Sequence, residues 1–373
     1  MNHRSVQSLS NNHSRRGYGM KRKLVFVSIG TLFALLMIFS VGFAQQAPIK
    51  LTYATYFIPQ HKTAVLDQEF CDEIKKRTNG RVEIQFFPSA TLLTAPKMYQ
   101  GIVSGIADIG FAHIAYTRGR FPVSEVSDLP LGFPSGFVST KVVSDFYNKF
   151  QSKEWNDVKP LYFSACGPNI IYTATKPVRN MEDMKGLKIR SYARQAEIIK
   201  LLGGTPVPLD FGELYEALRK GVLDGGMGPW EQMKQWKMAE VSKAMLNAWP
   251  IGSVFTFYCI MNKEKWNSLP DDIKKIFEQV SKEWVEKRAT TWNEIDVDAL
   301  EYTKTLNREI VNLPQAEAAK WKKAVEPVIE DYKKDLESKG ISRAEADGYV
   351  NFARERIEYW SKEEKRLGTK TIY

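Results

Sequence analysis

The chain has 373 residues and a formal net charge of +10, with 53 basic and 43 acidic side chains. A chain of this length can form two domains, each with its own core. Because residues 1–44 hold six basic and no acidic side chains, the rest of the chain carries only +4, which argues against a nucleic-acid-binding protein with a clustered basic face.

The N-terminal segment has the layout of a secretory signal peptide. Basic residues 21–23 precede an apolar stretch over 24–43, and the small residues around its end fit a cleavage site, so residues 1–44 are predicted to be removed. Met20 stands directly before the basic residues and indicates that 1–19 are an extension upstream of the true start. The alternative is an uncleaved membrane anchor, because about 20 apolar residues can span a bilayer.

The three cysteines of the chain are predicted to be structural. Cys71, Cys166 and Cys259 are far apart, and the sequence contains no CxxC or Cys/His metal spacing. At most one disulfide could form among them, and buried thiols that pack as small apolar residues are the favoured interpretation. We therefore expect no metal site and no cofactor.

After the signal, hydrophobic periodicity predicts the order strand, helix, strand, helix, strand. These elements fall at 50–56, 65–78, 81–87, 97–104 and 106–112. The same order returns later in the chain. Its elements fall at 187–192, 196–202, 205–211, 212–220 and 222–228. The prolines of the middle strand of this second run suit a sheet edge.

Both runs close on one local pattern of Gly, two apolar residues, Asp, any residue and Gly. The pattern occupies 105–110 and 221–226. A glycine that ends a helix in the left-handed conformation, followed by an apolar pair entering a sheet, accounts for it. Two βαβαβ runs with this ending predict two similar α/β lobes with mostly parallel sheets. We interpret Asp108 and Asp224 as structural rather than as ligand-binding residues.

The C-terminal third is predicted to be largely helical. An apolar strand at 254–262 is followed by a helix with Ser268 as its cap, and helical spacing continues to about residue 308. A helix of about 38 residues would be about 57 Å long, which exceeds one lobe, so we expect it to brace both lobes. Residues 315–373 are predicted to be mostly charged helix.

No tether separates the lobes, so we expect crossovers near residues 166 and 250 to join them and to act as the hinge. The predicted first lobe consists of 45–166 and 250–300. The predicted second lobe consists of 167–249 with the C-terminal helices of 301–373.

The sequence carries none of the short motifs typical of enzymes. It lacks GxSxG, GxxxxGK[ST], HExxH and a GxGxxG that follows a strand. Beyond residue 44 only His61 and His113 supply imidazoles. The protein is therefore not predicted to be an enzyme.

A binding cleft is the remaining prediction, and the stretch KGLKIRSY locates it. This stretch places Arg190 at the carboxyl end of a predicted strand, where ligands of open α/β sheets bind. Arginine holds a carboxylate through two charge-assisted hydrogen bonds and stays charged when it is buried. The sequence thus predicts that Arg190 captures an anionic group between the lobes, with a surface ion pair as the alternative.

Residues from about 50 to 310 resemble the substrate-binding proteins of TRAP (tripartite ATP-independent periplasmic) transporters, of the DctP type. The most diagnostic match is MEDMKGLKIR followed by LLGGTPVPLDFGELYEALRKGVLDGGMGP. Further matches are TNGRVEIQFFPSATL, GIADIGF, FPVSEVSDLPLGFP and KEKWNSLPDDIKKIF.

The resemblance implies a periplasmic protein with a two-lobed binding-protein fold that closes on its ligand. It would deliver an organic acid to a small and a large membrane subunit, driven by an ion gradient. The arginine that anchors the carboxylate in this family corresponds to Arg190, and the aromatic residue that covers the ligand corresponds to Phe211. Cleft-facing positions correspond to His113 and to Tyr56 or Phe57. A plain core role for Phe211 and a structural role for His113 stay open.

The sequence departs from the family where many members have an asparagine before a proline, because Gly228 stands there. We expect this loss to leave room beside Met227 and Trp230. A second arginine, found in members that bind larger acidic sugars, has no counterpart near Asn169. The predicted ligand is therefore a carboxylate with an apolar or aromatic body.

The candidate ligand-binding residues are Arg190, Phe211, Trp230, His113, Phe57, Tyr56, Met227 and Asn169. Two alternatives to transport are kept. One is a periplasmic binding module that feeds a sensor, and the other is a periplasmic enzyme acting on an organic acid.

Overall fold

Two β-sheets surrounded by helices form the architecture in the computed structural model, which describes residues 47–372. The predicted signal peptide, 1–44, lies outside the described residues. The strands are β1 (Ile49–Thr55), β2 (Val82–Phe87), β3 (Ile109–His113), β4 (Val158–Ala165), β5 (Ile170–Thr173), β6 (Lys188–Arg190), β7 (Thr205–Val207), β8 (Gly225–Gly228), β9 (Ala244–Asn247), β10 (Thr256–Asn262) and β11 (Glu309–Asn312).

Helices follow most strands and fill the C-terminal third. They are α1 (Lys62–Arg77), α2 (Met98–Val103), α3 (Gly136–Phe150), α4 (Ala193–Leu201), α5 (Phe211–Arg219), α6 (Gln232–Gln235), α7 (Met238–Val241), α8 (Lys263–Ser268), α9 (Asp271–Thr305), α10 (Gln315–Val325), α11 (Pro327–Ser338) and α12 (Arg343–Leu367). Among the described residues, no helix is both long enough and apolar enough to cross a bilayer.

The first sheet has the strand order β2-β1-β3-β10-β4, and the second has β11-β9-β5-β8-β6-β7. Within each sheet the βαβαβ strands pair in parallel, as the sequence predicts. The crossover strands β10 and β5 pair antiparallel with both of their neighbours, so both sheets are mixed. The proline-containing strand β7 lies at a sheet edge, where a missing backbone N–H costs no ladder hydrogen bond.

The repeated pattern has the same structural role in both sheets. Gly105 and Gly221 end their helices with φ of 76° and 68°, a region that glycine adopts without steric cost. Asp108 Oδ2 accepts a hydrogen bond from the Thr52 backbone N–H, and Asp224 Oδ2 accepts one from the Lys188 backbone N–H, both at 2.8 Å. Asp108, just before β3, is therefore hydrogen-bonded to β1, and Asp224, just before β8, is hydrogen-bonded to β6. This confirms the structural interpretation.

The two sheets are joined by crossovers that hydrogen-bond to each other. The segment between β4 and β5 runs beside the segment between β9 and β10. The Asn169 N–H donates to the Ser253 carbonyl at 2.9 Å, and the Cys166 N–H donates to the Phe255 carbonyl at 3.3 Å. All three cysteines are free thiols and buried.

The long helix α9 has 35 residues and a length of about 52 Å. It packs against α1, α3 and β4 on the side of the first sheet and against α6, which follows β8 of the second sheet. The two-sheet α/β architecture with a long bracing helix is thus confirmed. The expectation that Ser268 caps this helix is wrong, because Pro270 precedes its first residue and Ser268 ends the separate helix α8.

The lobe boundaries stay a prediction, although the strands divide near them. The first sheet takes its strands from 49–165 and 256–262, and the second takes them from 170–247 and 309–312. The sequence assigns the last helix, α12, to the second lobe, whereas α12 packs against α3, which lies between two strands of the first sheet.

Candidate functional site

The carboxyl ends of strands from both sheets meet at one cavity of about 20 Å³. β1 leads into Tyr56 and Phe57, β3 ends at His113, and β6 ends at Arg190. The lining residues are Tyr56, Phe57, His113, Tyr116, Arg190, Phe211, Pro229, Glu231, Gln232, Trp236, Phe255 and Phe257. Five of the eight residues predicted from the sequence are therefore brought together here.

Arg190 is buried, with 1% of its surface exposed. Its Nε donates to the Leu209 carbonyl at 3.2 Å, and its guanidinium lies over the rings of Tyr192 and Phe211, at 4.6 and 5.0 Å from their centroids. Its Nη2 has no hydrogen-bond partner, and no carboxylate among residues 47–372 forms an ion pair with it. A buried cation in this state has unused capacity for an anion.

His113 approaches the cavity from the first sheet. It pairs with Phe257 in the β3–β10 ladder, and its ring lies 3.8 Å from that of Tyr116 and 4.8 Å from that of Phe255. Burial, with a further contribution from the Arg190 charge, holds the pKa of His113 well below its ordinary value. The imidazole is therefore neutral at neutral pH, and its buried Nδ1 has no hydrogen-bond partner.

Aromatic rings make up most of the remaining wall. Tyr56 stacks on Phe57 at 4.3 Å, Phe57 lies 6.0 Å from Trp236, and Phe211 meets Trp236 edge-on at 4.7 Å. Burial raises the pKa of the Tyr56 and Tyr116 hydroxyls, so both stay protonated and can donate hydrogen bonds. The wall suits a flat or apolar ligand body.

Glu231 is the acidic residue of the lining, with 3% of its surface exposed. Its Oε2 lies 2.9 Å from His61 Nε2, and His61 Nδ1 accepts the Thr63 backbone N–H at 3.0 Å. Because Nδ1 is an acceptor, the neutral ring carries its hydrogen on Nε2 and donates it to Glu231. Burial raises the pKa of Glu231 well above its ordinary value and lowers that of His61 to about 3.

The space beside Gly228 is filled, so the expectation that it leaves room is wrong. A Cβ at Gly228 would lie 2.3 Å from Gln232 Oε1, the atom that accepts the Tyr172 hydroxyl at 2.9 Å. The side chain of Gln232 therefore occupies the volume that the missing asparagine side chain would take, and it lines the cavity.

Three predicted residues lie outside the cavity lining. Met227 is fully buried in β8, and Trp230 is fully buried and donates its Nε1 hydrogen to Asn247 Oδ1 at 3.0 Å. Asn169 belongs to the crossover, where its Nδ2 donates to Ser253 Oγ at 3.2 Å. A ligand-binding role of these three stays a prediction.

Sequence reasoning missed seven residues of the lining. They are Tyr116, Pro229, Glu231, Gln232, Trp236, Phe255 and Phe257. The antiparallel register of β10 with β3 places Phe257 opposite His113, and strand periodicity alone does not give that register. Within residues 47–372, no group of three or more His, Cys, Asp or Glu side chains is arranged to hold a metal ion.

Comparison with known proteins identifies the family. Residues 55–335 match the DctP family, described as bacterial extracellular solute-binding protein, family 7. The C4-dicarboxylate-binding periplasmic protein DctP of Rhodobacter capsulatus is 26% identical, and the alignment covers 88% of this chain and 98% of that protein.

Solved structures show the same fold. A TRAP periplasmic solute-binding protein from Desulfovibrio salexigens is 35% identical with a TM-score of 0.73, over 83% of this chain and 96% of that one; its ligand-binding site holds the C-terminus of a symmetry mate. A TRAP solute-binding protein from Rhodoferax ferrireducens, solved with copurified benzoate, is 25% identical with a TM-score of 0.77, over 84% and 99%.

The family match spans more than half of the chain, and both solved relatives reproduce the two-sheet fold along nearly their whole length. Members of this family are periplasmic solute-binding proteins that serve transport. The chain therefore belongs to the DctP family of TRAP-type substrate-binding proteins.

Proposed function

We propose that this protein captures an organic acid by its carboxylate and delivers it to the small and large membrane subunits of a TRAP transporter driven by an ion gradient. One observation carries the proposal. Arg190 Nη2 and His113 Nδ1 are buried, lack hydrogen-bond partners and belong to residues that line one cavity. A carboxylate that accepts hydrogen bonds from both would offset the cost of the unpaired buried charge.

The origin of these two residues supports capture between lobes. Arg190 ends a strand of the second sheet, and His113 ends a strand of the first. A ligand held by both joins the two sheets, so it favours the closed arrangement through contacts that an open one lacks. The crossovers at 166–169 and 248–255 are the hinge in this proposal.

The ligand proposed here has one carboxylate and an aromatic or apolar body. Phe57, Phe211 and Trp236 provide ring faces for such a body, and a relative of this chain was solved with benzoate. A compact dicarboxylate fits less well, although a dicarboxylate-binding relative exists. Its second carboxylate would find no cation besides Arg190 in the described lining.

Residues 1–44 are proposed to direct export, which places the protein in the periplasm. Uptake of a labelled ligand by cells, with and without the membrane subunits, tests delivery. Uptake that needs this protein and the membrane subunits supports transport, whereas binding without any effect on uptake supports the sensor alternative.

The binding proposal is tested by thermal melting and calorimetry with acids and their amides. The panel consists of benzoate, phenylacetate, indole-3-acetate, succinate and galacturonate, each beside its uncharged amide. A ligand present at 100 times its dissociation constant stabilises the native state by about 2.7 kcal/mol. We expect this for aromatic acids and not for their amides. Equal shifts for acids and amides, or none with any acid, would overturn carboxylate capture.

A further inference from the structure

Glu231 is an unexpected side chain in a cavity that binds carboxylates. It is the acidic residue of the described lining, and no lysine or arginine among residues 47–372 forms an ion pair with it. Burial raises the pKa of Glu231 well above its ordinary value, because a carboxylate that is out of water without enough hydrogen-bond donors is unfavourable. A carboxylate at this position therefore requires a ligand group that stabilises it.

Two contacts from other parts of the fold fix the position of Glu231. His61, which precedes α1 of the first sheet, donates its Nε2 hydrogen to Oε2 at 2.9 Å. The Glu231 backbone N–H donates to Asp296 Oδ1 of α9 at 2.8 Å. His61 is itself fixed, because its Nδ1 accepts the Thr63 N–H. The carboxyl group is thus held in place as a hydrogen-bond acceptor.

We infer that Glu231 is a specificity-determining residue, and that the preferred ligand carries, besides its carboxylate, an O–H or N–H donor that Glu231 accepts. The inference rests on the proposed function, since Arg190 and His113 must bind the ligand carboxylate first. His61 is a positioning residue in this arrangement, because it orients Glu231 without touching the ligand. A site built to accept a hydrogen bond discriminates strongly against an analogue without the donor.

Matched aromatic acids test the donor directly. The probes are the 2-, 3- and 4-isomers of hydroxybenzoate, aminobenzoate and methoxybenzoate, the corresponding phenylacetates, and benzoate itself. Hydroxyl and methoxy isomers share an oxygen at the same place, but only the hydroxyl donates. For at least one isomer we expect calorimetry to give at least about 10-fold tighter binding of the hydroxy or amino acid than of its methoxy analogue. At that isomer position, comparing the hydroxy acid with the amino acid shows whether the preferred donor is O–H or N–H.

Glu231→Gln tests whether Glu231 is the acceptor. The amide oxygen takes the His61 hydrogen, so the amide NH₂ faces the ligand and favours an acceptor over a donor. We expect the preference for the donor-bearing acid to fall below about 3-fold or to reverse, while benzoate still binds. The matched control is Glu213→Gln, at an exposed position of α5, which keeps the wild-type preference.

The outcomes separate this inference from the proposed function. Tight binding of acids with equal affinity for donor and methoxy analogues would overturn the role of Glu231 and leave carboxylate capture intact. A preference that survives in Glu231→Gln would do the same. Failure of every acid to bind would overturn both.

Discussion

Arg288 of the long helix α9 forms an ion pair with Asp67 of α1, and both side chains are almost completely buried. The same guanidinium donates to the Thr63 carbonyl at 3.2 Å and to the Tyr162 hydroxyl at 3.1 Å. One side chain thus connects α9, the start of α1 and β4. The Arg288–Asp67 pair therefore holds α9 against α1 and β4 of the first sheet.

Asp67→Ala is expected to lower the free energy of unfolding by about 3–5 kcal/mol, because it leaves the Arg288 charge buried and unpaired. Replacing both partners, with Asp67→Leu and Arg288→Met, should recover part of this loss. The control is Arg81→Ala, which removes the exposed pair with Asp272 and should cost less than about 1 kcal/mol. Urea unfolding measures all three, and equal costs for Asp67→Ala and the control would contradict the prediction.

Arg190→Ala should weaken binding of a carboxylate ligand at least about 100-fold, or about 2.7 kcal/mol, since it removes the cation of the cavity. Lys188→Ala, on the same strand but exposed, should leave the dissociation constant unchanged. Calorimetry with benzoate or the acid found by melting measures both. A loss of only a few-fold would remove Arg190 as the anchor.

The pH dependence of stability should carry a contribution from His61. Its pKa is about 3 in the folded chain and about 6.5 when unfolded, so below pH 6.5 the unfolded state binds the extra proton. The free energy of unfolding therefore falls by about 1.4 kcal/mol for each pH unit between 6.5 and about 3.

His61→Asn isolates this contribution, because asparagine keeps the helix cap and does not titrate. Buried carboxyls with raised pKa, such as Glu231 and Asp296, change stability in the opposite direction and remain in both proteins. We expect the wild type to lose its advantage over His61→Asn as pH falls from 7 to 5, measured by denaturant unfolding. Parallel stability curves would argue against a neutral buried His61.

Gly167 should not tolerate a side chain. A Cβ there would lie 1.9 Å from Asp296 Oδ2, so Gly167→Ala displaces the carboxylate that accepts the Glu231 N–H. We expect a loss of about 1–3 kcal/mol together with weaker ligand binding. Gly348→Ala, in the exposed interior of α12 with no heavy atom near the new Cβ, should stabilise by about 0.5–1 kcal/mol. Thermal melting compares the two, and similar shifts would refute the close contact.

The fold was largely predictable from the sequence because its signals are local. Helix-ending glycines such as Gly105 and Gly221, alternating apolar residues and helical spacing set most elements within a few residues. The start of α9 was misplaced, because Pro270 permits a helix to begin after it and the short helix α8 uses the preceding residues.

The site was predictable only at strand ends. Arg190 and His113 end strands, so topology alone places them at the cleft. Glu231 and Trp236 flank the short helix α6, and their positions depend on contacts with His61 and Phe57, which follow β1 of the other sheet. Such contacts join residues about 170 positions apart, and no periodicity encodes them.

The cavity volume has a kinetic consequence. At about 20 Å³ it holds no more than a water molecule, so an aromatic acid cannot occupy it while the walls keep this arrangement. Ligand capture then requires the walls to move apart first, and the rate of capture cannot exceed the rate of that opening. Any contact that slows opening, including the His61–Glu231 hydrogen bond, also slows capture of the ligand, whatever its affinity.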